Sequence, residues 1–124
     1  MLADLRGRGI TVAVCSNWDW HLDRAMASVG LDGSVDIMVT SARAGARKPH
    51  PRIFRHTLDA CGVEAADAVF VGDSWGPDVE GPRAIGMRAV HVWRPEWDAE
   101  REPPPPTTNG VVRLPDLRGL VDLV

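Results

Sequence analysis

Two aspartates follow an apolar segment in the second half of the chain. Residues 69–71 read Val-Phe-Val, Gly72 and Asp73 come next, and Asp78 lies five residues after Asp73. Such a run predicts a buried strand, and a parallel strand presents the residues after it at the carboxyl edge of its sheet. Mg2+ takes one or two carboxylates together with waters and substrate oxygens. We therefore predict Asp73 and Asp78 as Mg2+ ligands, while a turn aspartate followed by a helix-start aspartate is the alternative.

A second polar pair follows an apolar run near the start of the chain. Ser16 and Asn17 come after the β-branched segment 10–15 and before the apolar face of a predicted helix at 22–29. The first turn of a helix offers N–H groups and the positive end of its dipole to an anion. The pair therefore predicts a phosphate-binding corner, and the competing interpretation is a simple helix cap.

One lysine is a candidate for charge neutralisation. Lys48 precedes Pro49, whose ring restricts the backbone of the residue before it to extended conformations. An amine held near an anion pocket and two carboxylates can balance the charge of a phosphoryl group. The alternative for Lys48 alone is a solvated surface side chain.

Strand-like and helix-like segments alternate along the chain. Strands are predicted at 10–15, 36–40, 68–71 and 88–93, and helices at 22–29, 51–61 and 79–85. This order predicts an α/β fold with a Rossmann-like parallel sheet and helices on both of its faces. Pro82 is expected to bend the last of these helices.

Composition narrows the classes of function. The chain has 124 residues, a net charge of -3 and two cysteines. The mild acidity predicts no nucleic-acid partner, and no apolar run approaches the roughly 20 residues that cross a bilayer. Cys15 and Cys61 lie in apolar patterns and are expected to be buried thiols, which fits a cytoplasmic protein.

Three separated segments together resemble the haloacid dehalogenase-like hydrolase superfamily, in particular its subfamily IA. They are 12–17, ending in Ser16-Asn17, 47–54, containing Lys48, and 69–78 with 84–87, containing both aspartates. The resemblance covers about residues 1 to 94 and implies that Ser16, Asn17 and Lys48 bind a substrate phosphate, with Lys48 also steadying the nucleophile. It implies that Asp73 and Asp78 hold Mg2+, as in the phosphatases of the family that act on small phosphorylated metabolites.

The chain departs from the family at one motif. The family's nucleophile is an aspartate in an Asp-x-Asp motif that ends a central first strand, and a substrate-selecting cap follows it; this chain contains no Asp-x-Asp. We expect a chain that starts late. Residues 1–94 would then be a partial hydrolase core without its central strand, and 95–124 a proline-rich linker with a short closing segment.

The missing strand would lie between the strands that end at Cys15 and Val71. Three outcomes are open: the halves close into a four-stranded sheet, a segment from elsewhere fills the slot, or the chain is marginally stable. Three functional hypotheses follow. The chain is a phosphatase core that is inactive alone, a non-catalytic interaction scaffold, or a half-enzyme completed by a strand-donating partner chain, and a homo-oligomer is also possible.

Overall fold

The computed structural model describes residues 1–96, 98, 100–101, 104–106 and 110–124. They group into two compact units, Met1–Glu64 and Ala65–Val124. Within the described ranges, every helix is too short or too polar to span a membrane. The predicted proline-rich linker lies partly outside the described residues, because Pro103 is not among them. The predicted division near residue 94 stays a prediction.

The first unit contains a two-stranded parallel sheet and four helices. Strands β1 and β2 pair in parallel, with Ala13 opposite Ile37 and Ser16 opposite Thr40. The elements in chain order are α1 (Leu2–Gly7), β1 (Ala13–Ser16), α2 (Leu22–Ser28), β2 (Ile37–Thr40), α3 (Ser41–Ala44) and α4 (Pro51–Cys61).

The second unit contains a three-stranded parallel sheet in the order β3-β4-β5. Its core includes Val79, Ala89 and Val111, with Trp75 packed against them. The elements are a 3-10 turn (Ala65–Asp67), β3 (Val69–Gly72), a π-helix (Trp75–Glu80), α5 (Gly81–Ala84), β4 (Arg88–Val92), β5 (Val112–Leu114) and a 3-10 helix (Leu117–Leu123).

These sheets confirm the predicted α/β class, with parallel strands and helices on both sides. The four-stranded sheet, one of the three open outcomes, does not form among the described residues, because the strands divide into two sheets. Strands β1 and β3 are half-buried along their length, whereas the sequence predicted buried strands. The reason is that, among the residues the structure describes, each of these strands has a ladder partner on only one side.

Helix α4 shows how the sequence sets the core of the first unit. Pro51 stands in its first turn, where no N–H is needed, and Gly62 ends it with a φ of 68°. Its inner face buries Ile53, Phe54 and Leu58 against β1 and β2. Burying each such side chain stabilises the fold by about 1.5–3 kcal/mol.

Two local predictions need correction in part. The segment predicted as a helix at 79–85 is helical up to Ala84, but it is the end of a π-helix followed by the short α5, and Pro82 lies in the first turn of α5, where proline is tolerated. Both cysteines are free but only half-buried. Even so, desolvation raises the pKa of the Cys61 thiol above its usual value.

Candidate functional site

The loop after β1 is tied directly to the loop that carries Lys48. The backbone N–H of Lys48 donates to Oδ1 of Asn17 at 2.8 Å, and Nδ2 of Asn17 donates to the carbonyl of Lys48 at 3.4 Å. Ser16 ends β1 in register with Thr40. The peptide bond between Lys48 and Pro49 is cis. The structure thus brings Asn17 and Lys48 together, 31 positions apart in sequence.

The helix-dipole corner predicted at Ser16 and Asn17 does not form. Helix α2 begins only at Leu22, with His21 as its N-cap, so the intervening residues separate Asn17 from the helix. The intervening loop is fixed instead through the Trp18 carbonyl, which accepts bonds from Ser41 Oγ at 3.0 Å and from the N–H of Ala42 at 3.2 Å. Any anion binding at this end of β1 therefore depends on side chains and loop amides.

The two aspartates lie on either side of Ser74 in the second unit. The N–H of Ser74 donates to Oδ2 of Asp78 at 3.0 Å, and its hydroxyl donates to Oδ1 of Asp73 at 3.4 Å. Asp78 is only 4% exposed. Its carboxylate lies over Gly72, where any Cβ would overlap it. Gly72 is therefore required because it leaves room for the Asp78 side chain.

Arginines surround the Asp73 carboxylate. Its Oδ2 lies 3.6 Å from a guanidinium nitrogen of Arg94 and 3.8 Å from one of Arg101. Asp98, which is 6% exposed, binds both arginines: it accepts from the Arg94 N–H at 2.9 Å and from Arg101 Nη1 at 2.9 Å. The Arg94 N–H, and then the Arg101 side chain, hold the pKa of Asp98 below its usual range.

His91 is a functional candidate that the motif analysis did not identify. It is completely buried, and its Nε2 lies 3.1 Å from the carbonyl of Asp73. A carbonyl only accepts, so Nε2 carries the proton and Nδ1 accepts from Nε of Arg113 at 3.0 Å. Burial lowers the pKa of His91, which agrees with a neutral ring. The sequence contained one signal for His91, because this polar residue interrupts the apolar pattern of β4.

The donor set at Asp73 and Asp78 fits a hard divalent cation. Mg2+ needs only one or two protein carboxylates, and both side chains lie around one residue, Ser74. Within the part of the chain that the structure describes, no cluster of three or more His, Cys, Asp or Glu side chains is placed to hold a metal. The ion would therefore keep several waters and would compete with two arginines for Asp73.

Comparison with known proteins places these residues in a family. The model for haloacid dehalogenase-like hydrolases matches residues 1–86 of this chain. Haloacid dehalogenase-like hydrolase domain-containing protein 3 of Bos taurus is 43% identical over 97 residues, which are 76% of this chain and 39% of that protein. A phosphoserine phosphatase of Thermus thermophilus is 36% identical over 118 residues, which are 94% of this chain and 45% of that protein.

The fold agrees with this relationship. The crystal structure of a HAD phosphatase from Thermococcus onnurineus matches with a TM-score of 0.84 and 28% identity, over 98% of this chain and 54% of that one. This chain spans less than half the length of the two curated relatives. The predicted resemblance is confirmed, and the chain belongs to the haloacid dehalogenase-like hydrolase family.

Proposed function

We propose that this chain is part of a Mg2+-dependent phosphatase that acts on a small phosphorylated metabolite. The hydrogen-bonded pair of Asn17 and Lys48 carries the proposal, because it fixes the lysine beside the end of β1. The similarity to a phosphoserine phosphatase supports phosphoryl chemistry. The two free cysteines are compatible with a cytoplasmic setting, which we also propose.

Ser16, Asn17 and Lys48 are the proposed phosphate-binding residues. The Ser16 hydroxyl can donate to a phosphate oxygen, and the Lys48 ammonium balances the charge that develops as a phosphoryl group is transferred. The Asn17 side chain binds the Lys48 backbone through one N–H and its oxygen, and its second N–H can donate to a phosphate oxygen. Lys48 is thus the proposed catalytic residue of this group, and Asn17 also positions it.

Asp73 and Asp78 are the proposed holders of Mg2+. The bound ion would supply positive charge to the phosphate oxygens. Asp78 is buried and oriented by Ser74, so its carboxylate is preorganised, whereas Asp73 is about half-exposed and open to exchange of partners.

This chain contains no Asp-x-Asp motif. The proposed reaction therefore needs a nucleophilic aspartate from another segment or another chain. A second candidate function, a half-enzyme completed in trans, is favoured by one observation: in the described part of the chain, β1 and β3 each pair with a single strand. An unpaired strand edge accepts an added strand through its backbone groups. A partner strand carrying the aspartates would supply both pairing and nucleophile, whereas a second copy of this chain would supply only pairing.

Thermal unfolding in Mg2+ tests the metal assignment. A ligand that binds only the folded state at ten times its Kd stabilises that state by about 1.4 kcal/mol, so the melting temperature should rise. Asp73→Asn should abolish the rise, and Asp67→Asn, an exposed aspartate of the same unit, should retain it. An unchanged melting temperature at millimolar Mg2+ would instead support the interaction scaffold.

Activity measurements test the role of the missing nucleophile. The purified chain should release no phosphate from an aryl phosphate with Mg2+ present. Co-expression with a chain that carries an Asp-x-Asp strand should restore release, and the restored activity should be lost in Asp73→Asn. Hydrolysis by the unaccompanied chain that disappears in Asp73→Asn would contradict the need for an external aspartate.

A further inference from the structure

A cavity of about 210 Å3 opens beside Asp73 in the second unit. Trp75 and Trp93 line it together with His91 and two prolines, and Arg101 and Asp73 supply charged groups. A water occupies about 30 Å3 of liquid, so the space corresponds to about seven waters or to a ligand of a similar number of heavy atoms. The lining favours a small organic molecule with an acidic head and an apolar skeleton.

Arg101 is held in a fixed orientation at this cavity. Its guanidinium carbon lies 5.4 Å from the centre of the Trp93 ring, and Nη1 donates to Asp98 at 2.9 Å. Nη2 donates to the Asp73 carbonyl at 3.1 Å. A guanidinium has five N–H donors, so these contacts leave donors for a further acceptor. A preorganised, stacked arginine is suited to bind a carboxylate or phosphate oxygen pair.

The charge of Asp73 decides whether Arg101 uses its remaining N–H donors to bind an anion. Without a metal, the Asp73 carboxylate is a counter-charge of Arg94 and Arg101, at 3.6 and 3.8 Å, and Asp98 is a second counter-charge of Arg101, at 2.9 Å. Like charges only a few ångströms apart repel each other, so a cation at Asp73 and the neighbouring guanidinium groups disfavour one another. With a cation on Asp73, both arginines lose part of their counter-charge, and an anion in the cavity would restore the balance.

We propose that this cavity is a binding site for a small organic oxyanion, held by Arg101 between the two tryptophans and coupled to cation binding at Asp73. The proposal rests on the Mg2+ site of the proposed function and extends it to the acidic group of a ligand. Coupling between two sites is reciprocal, so the anion strengthens Mg2+ binding by the same factor as Mg2+ strengthens anion binding.

Mg2+ titration of the whole chain by calorimetry tests the coupling, with butyrate as the probe and butyramide as its uncharged counterpart. Butyrate should lower the Kd for Mg2+ by about fivefold or more, the range of typical allosteric couplings, and butyramide should not. Arg101→Met should change the Mg2+ titration in two ways. It should tighten Mg2+ binding without butyrate, because a competing cation is gone, and it should remove the butyrate effect.

Matched variants separate coupling through the Arg101 guanidinium from a general structural effect of substitution. Arg88→Met, an exposed arginine of β4, should behave as the unaltered chain. Arg101→Lys keeps the charge but not the planar pair of donors, so it should retain the original Mg2+ affinity with a weaker butyrate effect. This variant decides the question if Arg101→Met does not fold.

The possible failures are distinguishable. Mg2+ binding that is lost in Asp73→Asn but unaffected by butyrate would overturn the anion site and leave the metal site standing. An equal response to butyrate and butyramide would overturn it as well. Absence of Mg2+ binding in the unaltered chain and in Arg101→Met would overturn both the anion site and the proposed metal site.

Discussion

The candidate residues of the two units are held in different ways. In the first unit, a neutral amide, Asn17, binds the backbone of Lys48. In the second, Asp78 is buried against Gly72, and the half-exposed Asp73 carboxylate lies near two guanidinium groups, while the Asp73 carbonyl binds the buried His91 ring. Loss of a neutral hydrogen bond is modest, whereas a displaced or unpaired buried charge costs more. We therefore expect the second unit to be the more sensitive to substitution.

The largest effect is expected from Gly72→Ala. The added Cβ would overlap the Asp78 side chain, and overpacking of this kind costs about 1–3 kcal/mol or more. Gly76→Ala is the control, because a Cβ there has no neighbouring atom within 4 Å. Urea unfolding should show a loss of about 2–3 kcal/mol for Gly72→Ala and much less for Gly76→Ala. If the Gly72→Ala and Gly76→Ala variants are equally stable, and Mg2+ raises their melting temperatures equally, the close packing of Asp78 against Gly72 is contradicted.

Asn17→Ala tests the first unit and should have a smaller effect. It removes two hydrogen bonds to the Lys48 backbone, a loss of about 1–2 kcal/mol in urea unfolding. Ser28→Ala, which removes one hydrogen bond on the exposed side of α2, should stay within about 0.5 kcal/mol. If Asn17→Ala and Ser28→Ala lower the free energy of unfolding equally, the hydrogen bonds of the Asn17 amide do not stabilise the loop that carries Lys48.

Each unit also contains an aspartate that binds a backbone N–H and an arginine. Asp36 accepts from Val12 and Arg6, and Asp98 accepts from Arg94 and Arg101. The backbone bond, with the arginine, lowers the pKa of each carboxyl below its usual value. Each therefore contributes stability that is complete above the unfolded pKa of about 3.9 and is lost as the pH falls through the folded value.

Replacing these carboxylates by amides sharpens the comparison. Asp36→Asn and Asp98→Asn should each lower the melting temperature at pH 7, and the gap to the unaltered chain should close as the pH falls below about 4. Melting curves from pH 7 to pH 2.5 provide the measurement. A gap that is the same at every pH would show that the charge of the carboxylate does not stabilise that unit.

The strands and the main helix were predictable because their signals are local. Apolar runs mark β1, β2, β3 and β4 within a few residues, and Pro51 marks the start of α4. Ser16, Asn17 and Lys48 were proposed from their places after or between such elements, and their binding role stays a prediction. The helix dipole was wrongly assigned to Ser16 and Asn17, since the pattern shows where apolar positions recur but not that α2 starts only at Leu22.

The surroundings of Asp73 could not be predicted, because they depend on contacts between distant positions. His91 and Arg101 reach the Asp73 carbonyl from 18 and 28 residues away. The sequence assigned no role to these side chains, since a single sequence does not reveal which of its arginines approaches a given carboxylate. Trp75 lines the cavity and also packs against the core of the second unit.

The smallest effect on stability is expected from Lys48→Met, which separates binding from folding. Asn17 binds Lys48 only through the lysine backbone in these two bonds, and methionine preserves that backbone. The substitution should therefore cost less stability than Asn17→Ala, while it abolishes the rise in melting temperature produced by inorganic phosphate. Arg47→Met, which removes the neighbouring exposed cation, should retain the rise. If both variants lose it equally, a diffuse positive potential rather than the Lys48 ammonium attracts phosphate to the first unit.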